Sequence, residues 1–294
     1  MKKRPERIAR VGLIANTEKP EGRPLLAEAA RLLVGQGIEV VSDAATLRMS
    51  GLRLPRYRDS ASVADAAHLL LVFGGDGTIL RVAREIAGSE TPLLGIHVGR
   101  LGFLAGVTAA ELPKAIGQIV AGDYRIENRS LMVAERTPNR RDPTLRALND
   151  FVFTRGDVSR MIELEVAVDG EELTRYRCDG LIVSSATGST AYSLAAGGAI
   201  VSPSARVFTI TPICPLTLSN RSVILDLEST VVVRVTTGKL QTHLTVDGQV
   251  AIQLRMGDEV TIRRAREAVR LLRLGGSSFF RTLRQKLHWS GSHA

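Results

Sequence analysis

The residues best placed to do chemistry are Gly74-Gly75-Asp76-Gly77-Thr78. Three glycines let a backbone approach a ligand closely and take up left-handed dihedrals. Free N–H groups at the start of a helix suit a phosphate. A carboxylate in the middle of such a loop is unexpected if the loop only holds an anion. Asp76 therefore suggests a group that orients a hydroxyl nucleophile, or holds Mg²⁺, beside a phosphoryl donor. The same five residues also serve as an Asp-Gly turn joining two elements, and the loop alone leaves both readings open.

Two further stretches carry polar groups in apolar surroundings. Asn149-Asp150 lies between Leu148 and Phe151, and an adjacent amide and carboxylate in a strand can serve the two hydroxyls of a ribose. On its own the pair also reads as a solvated pair or an ordinary turn. In Cys178–Ser193 an apolar strand empties into hydroxyl and small residues, followed by Tyr192 and Gly197-Gly198. Hydroxyls and N–H groups there fit sugar and phosphate oxygens, and Tyr192 could lie against a base. By itself the stretch reads as a Ser/Thr-rich loop capping a helix that starts near Ser189, with Tyr192 packed as core. The five histidines are scattered, and no Ser/His/Asp or Cys/His set with nucleophile logic appears.

The elements that must position these groups follow from periodicity. Leu69–Phe73 reads as a buried parallel strand, and Ile79, Leu80, Ala83, Ile86 and Ala87 recur at helical spacing after the glycine turn, with Arg81 and Glu85 paired on the other side. Arg10–Ala15, Ile38–Val41 and Pro92–His97 read as further strands. Leu25–Val34, Ala61–Ala67 and Glu111–Val120 read as helices, and Arg53–Ser60 as loop. Strands alternating with helices imply parallel pairing, with ligands at the strands' carboxyl ends, where Asp76 sits. Gly99–Leu104 is glycine-punctuated and expected to be irregular.

From Tyr124 the pattern changes to strands: Ser130–Arg136, Leu145–Phe153, Ile162–Val168, Glu172–Tyr176 and Leu181–Ser185, then a run from Val231 to Leu274. Val168-Asp169-Gly170-Glu171 and Val246-Asp247-Gly248-Gln249 read as hairpin turns. Phe279, Phe280, Leu283 and Leu287 form one stripe of a final helix. The expected architecture is an α/β nucleotide-binding domain with a parallel sheet over residues 1–124. A mostly antiparallel, β-sandwich-like domain over 125–276 follows. A helix within 277–294 then docks on the first domain or on a neighbouring subunit.

Composition narrows the function classes. The chain of 294 residues is 44% hydrophobic but only 4% aromatic, with a net charge of +9. The basic residues are dispersed, with local excesses at Lys2–Arg10 and Arg263–Lys286. Without aromatic interleaving or a recognisable module, nucleic acid is not the expected partner. A positive balance also steers polyanionic nucleotides. Two cysteines, Cys178 and Cys214, are too few for a disulfide framework or a zinc site. Val11–Ala15 is too short for a signal-peptide core, and Leu181–Ser202 is too rich in Ser, Thr and Gly to span a membrane. A soluble cytoplasmic protein is expected.

Taken together, these stretches resemble the NAD kinase family, which phosphorylates the 2′-hydroxyl of NAD's adenosine ribose. The motifs, in the family's order, are G-G-D-G-T at Gly74–Thr78, L-G-F at Leu101–Phe103, L-N-D at Leu148–Asp150 and D-G-L-I-V-S-S-A-T-G-S-T-A-Y-S at Asp179–Ser193. P-I-C-P-L-T-L-S-N-R at Pro212–Arg221 and D-G-Q at Asp247–Gln249 follow. The first motif is shared with phosphofructokinases and diacylglycerol-type lipid kinases, whereas the T-G-S-T-A-Y-S run with Asn149-Asp150 is far more specific. A lipid kinase or a non-catalytic NAD-binding regulator are the alternatives. The polar Asn149-Asp150 pair and the retained Asp76 argue against them.

The resemblance implies that Asp76 acts on the attacking hydroxyl and that Gly74, Gly75, Gly77 and Thr78 form the phosphate loop. It implies an NAD site lined by Asp76, Gly77, Phe103, Asn149, Asp150, Asp179, Thr190, Ala191, Tyr192, Ser193, Ala195 and Gln249, with Arg160 and Arg177 around the same ligand. It further implies ATP or polyphosphate as phosphoryl donor, with Mg²⁺, no metal ligand from the protein being identified, and a homodimer or homotetramer. Asp150 stands where glutamate is usual, Leu216 replaces a histidine, Ala195 a serine, and Ser185-Ala186 a Thr-Pro pair.

Overall fold

The computed structural model describes residues 8–99, 102–137, 144–156, 160–217, 219–237 and 241–289. The chain divides into two compact units, residues 1–128 with 269–294 and residues 129–268.

The first unit alternates strands and helices: β1 (Arg10–Ala15), α1 (Arg23–Gly35), β2 (Glu39–Asp43), α2 (Ala44–Ser50), β3 (Arg56–Tyr57), α3 (Ser60–Ala66), β4 (Leu69–Gly74), α4 (Asp76–Glu85), β5 (Leu93–His97), β6 (Val107–Thr108) and α5 (Leu112–Ala121). The strands lie in the order β3-β2-β1-β4-β5, all parallel. β1 and β4 are apolar almost throughout because both faces of the sheet are covered. On one face Leu26, Ala29 and Leu33 of α1 and Leu112, Ile116 and Ile119 of α5 pack on Leu13, Leu71 and Ile96. On the other, a Cβ at Gly12 would lie 2.4 Å from Val63 Cγ1 of α3 and one at Gly95 would lie 2.3 Å from Ile79 Cδ1 of α4, so those helices sit directly on the strands. The strand order reverses between β1 and β4. Such a reversal opens a ligand crevice at the carboxyl ends of the two strands.

Two local features differ from the sequence reading. Helix α2 was not anticipated, although Asp43 caps it by accepting from Thr46 N at 2.7 Å and Gly51 ends it in the left-handed region, φ 75°. The stretch Arg53–Ser60 is not all loop, because Arg56–Tyr57 pairs with Ser42–Asp43 as an edge strand.

The second unit begins within β7 (Tyr124–Thr137) and continues as β8 (Leu145–Ala147), β9 (Asp150–Arg155), β10 (Ile162–Val168), β11 (Glu171–Cys178), β12 (Gly180–Ser185), α6 (Tyr192–Ala195), β13 (Val207–Ile213), β14 (Val223–Asp226), β15 (Val231–Val235), β16 (Thr242–Val246) and β17 (Val250–Leu254), ending in β18 (Glu259–Leu274). One antiparallel sheet has the order β14-β13-β12-β9-β16-β17. In the other, β10 pairs with β11 and β15, and β15 with β18. Phe151, Phe153, Val183, Phe208 and Leu244 of the first share one core with Leu164, Val166, Val233 and Ile262 of the second, which makes a two-layer β domain. The hairpin turns have both central residues left-handed, with φ of 52° and 87° at Asp169-Gly170 and 48° and 66° at Asp247-Gly248.

The unit boundaries fall at 128/129 and 268/269, whereas the sequence placed them at 124/125 and 276/277. Leu271 of β18 pairs in parallel with Leu93 of β5, which assigns the end of that strand to the first unit. The last helix, α7 (Phe279–Lys286), belongs there as well, and its Leu283 is buried. Among the described residues no helix is long and apolar enough to cross a membrane.

Candidate active site

In the first unit the apolar strand β4 drives straight into Gly74, and Gly75 is the N-cap of α4 in extended conformation. Asp76 is thus the first helical residue, where a negative charge meets the positive end of the helix dipole. A Cβ at Gly74 would lie 2.3 Å from Thr78 Oγ1, so the threonine folds back onto the glycine and is itself buried. Asn16 N donates to Phe73 O at 2.9 Å, tying the end of β1 to the end of β4 at the crevice.

The Asp76 carboxylate is held by a loop remote in sequence. Its Oδ2 accepts from Phe103 N at 2.8 Å, and its Oδ1 from Leu104 N at 3.0 Å and Ala105 N at 3.3 Å. Gly102 is required by this closeness, since a Cβ there would lie 2.0 Å from Oδ1. The loop is held from behind as well: Arg273 Nη1 donates to Leu104 O at 3.1 Å, and Lys286 Nζ of α7 stands 5.9 Å from the Phe103 ring centroid. The L-G-F motif therefore supports Asp76 through its backbone as much as through Phe103. Its Leu101 lies outside the described residues.

His97, at the end of β5 and paired in register with Gly74, was not anticipated as part of this site. It is buried, and its Nε2 has no hydrogen-bond partner among the described residues. Burial lowers its pKa, the Asp76 charge raises it, and Lys19 and Lys286 lower it further. Its signal in the sequence was a histidine closing an otherwise apolar strand.

In the second unit Asn149-Asp150 does not lie within one strand, as Leu145–Phe153 suggested. The chain breaks at Leu148-Asn149 because β8 pairs with β7, whereas β9 pairs with β12 and β16. The carboxylate of Asp247 holds the corner by accepting from Leu148 N at 3.1 Å, Asn149 N at 2.8 Å and Asp150 N at 3.2 Å. Ser185 Oγ donates to Leu148 O at 2.6 Å and Ser185 N to Asn149 O at 2.9 Å. Both side chains of the pair are buried, and Asn149 Oδ1 has no hydrogen-bond partner among the described residues. Burial and the nearby Asp247 push the Asp150 carboxyl up to about 7.

The hydroxyl-rich stretch packs against the same corner. Gly188 N donates to Ser185 Oγ at 3.2 Å, and a Cβ at Gly188 would lie 2.2 Å from Asn149 O. Most of its hydroxyls serve the fold. Ser189 Oγ bonds Ala186 O at 2.9 Å, and Ser193 Oγ lies 3.1 Å from Thr211 Oγ1. Ser193, expected to face ligand, is fully buried and committed to Thr211. Thr190 and Ala191 are half-buried and Ala195 is exposed. Tyr192 is 46% exposed, so it is not the core residue that the loop reading required. Gln249 is exposed, two residues beyond Asp247 on the same turn.

The remaining expected residues gather at the other end of these strands. Gly180 is opposite Thr154 and Ser184 opposite Asp150, so Asp179 stands about 16 Å along the pair from the Asp150 corner. Asp179 Oδ1 is 3.0 Å from Arg155 Nε, and Arg177 Nε is 3.7 Å from Glu163 Oε1. Arg160 is exposed just before β10. The structure thus brings Asn149, Asp150, the Ser184–Ala191 loop and Gln249 together, and keeps Asp179, Arg177 and Arg160 apart from them. Among the described residues no group of three His, Cys, Asp or Glu side chains could hold a metal.

Comparison with known proteins agrees with these motifs. Residues 11–124 match the family model described as the ATP-NAD kinase N-terminal domain, and residues 148–274 the one described as the ATP-NAD kinase C-terminal domain. The chain is 42% identical over 285 residues to an NAD kinase of Moorella thermoacetica, covering 97% of this chain and 91% of that one. It is 38% identical to an NAD kinase of Methylibium petroleiphilum, with coverage of 97% and 96%. The crystal structure of yeast NADH kinase complexed with NADH aligns with a TM-score of 0.88 at 25% identity, over 99% of this chain and 90% of that one. An NAD kinase from Archaeoglobus fulgidus in complex with ATP has the same fold, with a TM-score of 0.76 at 24% identity over 96% of this chain and all of the other. Carrying both family domains in order and this identity over nearly its whole length, the chain belongs to the NAD kinase family.

Proposed function

We propose that this protein transfers the γ-phosphoryl group of ATP to the 2′-hydroxyl of the adenosine ribose of NAD, giving NADP and ADP. The first unit is the nucleotide-binding domain that supplies Asp76 and the phosphate loop Gly74–Thr78. The second supplies Asn149, Asp150, Thr190, Ala191, Tyr192 and Gln249 to the NAD. Ser193 and Ala195 act through the loop that carries them, and Asp179, Arg160 and Arg177 serve a more distant part of the ligand.

The observation that carries the reading is the way Asp76 is held. A carboxylate offers about four lone-pair directions, two on each oxygen. Oδ1 spends both on Leu104 and Ala105, while Oδ2 spends one on Phe103, which among the described residues leaves Oδ2 one direction for a hydroxyl. The ribose oxygen attacks phosphorus as the bond to ADP breaks, and its proton passes to Oδ2 late. Positioning and charge stabilisation then contribute more than full proton abstraction, as is general for phosphoryl transfer. Mg²⁺ would be held mainly by the phosphates of ATP, as is usual for a cation that keeps few protein ligands. Bound there, it would neutralise phosphate charge.

Two unpaired cysteines suit a reducing compartment, which supports a cytoplasmic setting. Exposed Ile224 and Val250 on the two edge strands of the six-stranded sheet support a homo-oligomer. The test is NADP formation by purified protein, comparing ATP with polyphosphate and NAD with NADH. Asp76→Asn is expected to abolish most turnover while NAD still binds. Near-normal turnover in that variant removes the role assigned to Asp76.

A further inference from the structure

We infer that Asp247, whose own side chain is given to the backbone, is the positioning residue that sets Asn149 and Asp150 for the ribose. The inference rests on the proposed function, since it specifies how that site is built. Every backbone polar group of Leu148–Asp150 is engaged. Their three N–H groups donate to the Asp247 carboxylate at 2.8 to 3.2 Å. Their carbonyls accept from Ser185 Oγ, from Ser185 N and Ser184 Oγ, and from Asp247 N at 3.0 Å. Asp247 reaches the corner because its turn is left-handed, with φ of 48° there and 66° at Gly248.

The corner thereby buries two carboxylates side by side. Burial and the neighbouring Asp247 both act against ionising Asp150. Asp150 thus changes charge near neutral pH. Ionised, it offers a ribose hydroxyl an acceptor on each oxygen, whereas protonated it commits one oxygen to an O–H donor. Asp247 in this way links the geometry of the pair to the pH at which the pair binds.

The experiment compares wild type with Asp247→Asn and Asp247→Glu. In Asp247→Asn the like charge is gone and an amide N–H₂ confronts backbone donors. KM for NAD is expected to rise about tenfold or more while kcat changes less. The acid limb of kcat/KM should move down by at least about half a pH unit relative to wild type. Asp247→Glu keeps the charge but displaces it by a methylene, so KM rises while the limb stays. A lower melting temperature with an unmoved limb and KM overturns the inference. Should Asp247→Asn not fold, an unchanged KM in Asp247→Glu overturns it equally. A carbon-detected NMR titration of the Asp150 carboxyl, run without substrate, reads the same linkage independently of turnover. Failure of wild type to form NADP rejects the proposed function, whereas an Asp150 titration unmoved by Asp247→Asn rejects this inference.

Discussion

Gly102 puts the held carboxylate to a direct test. A methyl group at this position would lie 2.0 Å from Oδ1, 2.3 Å from Cγ and 2.5 Å from Oδ2 of Asp76. Contacts that short do not survive, so either the carboxylate swings away or the 103–105 segment retracts. Both routes weaken the three N–H bonds to Asp76. Hydrogen bonds to a charged group are worth about 1.5–3 kcal/mol each, so losing two removes roughly 3–6 kcal/mol of restraint on the carboxylate. A displacement of about 1 Å at a positioned catalytic group costs on the order of 100-fold, equivalent to about 2.7 kcal/mol of barrier. Gly102→Ala is therefore expected to lower kcat for NADP formation about 100-fold with circular dichroism unchanged. Gly106→Ala is the control, because the nearest atoms to its added methyl, Arg273 Nη1 and Leu94 Cδ1, stand at 3.5 Å. Turnover of Gly102→Ala within about twofold of wild type would refute the reasoning.

Two further substitutions probe other parts of the structure. Gly188→Ala drives a methyl to 2.2 Å from the Asn149 carbonyl, which is backbone and yields little. Overpacking of about 1–3 kcal/mol should lower the melting temperature by several degrees and raise KM for NAD, and a variant unchanged in both counts against the corner as drawn. His97 is buried with its pKa lowered, mainly by burial. Its unfolded form takes up a proton near pH 6.5 before the folded form does, so it withdraws stability as pH falls through that value. Replacing it by His97→Gln should flatten the loss of stability between pH 7.5 and 5.5 in denaturant midpoints, and an unaltered slope would contradict the assignment.

Legibility in the sequence followed the range of the forces involved. The strand–glycine–helix unit at Leu69–Glu85 is local: an apolar run, three glycines and a helical stripe each act on neighbours, and the structure has β4 and α4 there. The Asp-Gly turns at Asp169 and Asp247 are equally local, since only a few residue types accept paired left-handed dihedrals. Helix α2 was also written locally, in Asp43 and Gly51, but its seven residues are too few to show a period. The break at Leu148-Asn149 was hidden, because an apolar run looks the same whether it stays in one sheet or passes to another.

What the sequence by itself determined was the α/β and β order of the elements, the glycine turn that presents Asp76, and the identity of the polar residues left in apolar surroundings. What only the tertiary structure decided was which polar groups support others and which remain to meet a ligand. Asp76 is held by N–H groups 27 to 29 residues away, and Asp247 holds N–H groups 97 to 99 residues away. Ser193 turns inward to Thr211 while Tyr192, its neighbour, stays exposed. The reason is physical. A buried polar group must find a hydrogen-bond partner, and the chain supplies that partner wherever the folded backbone passes, at separations that no local pattern encodes.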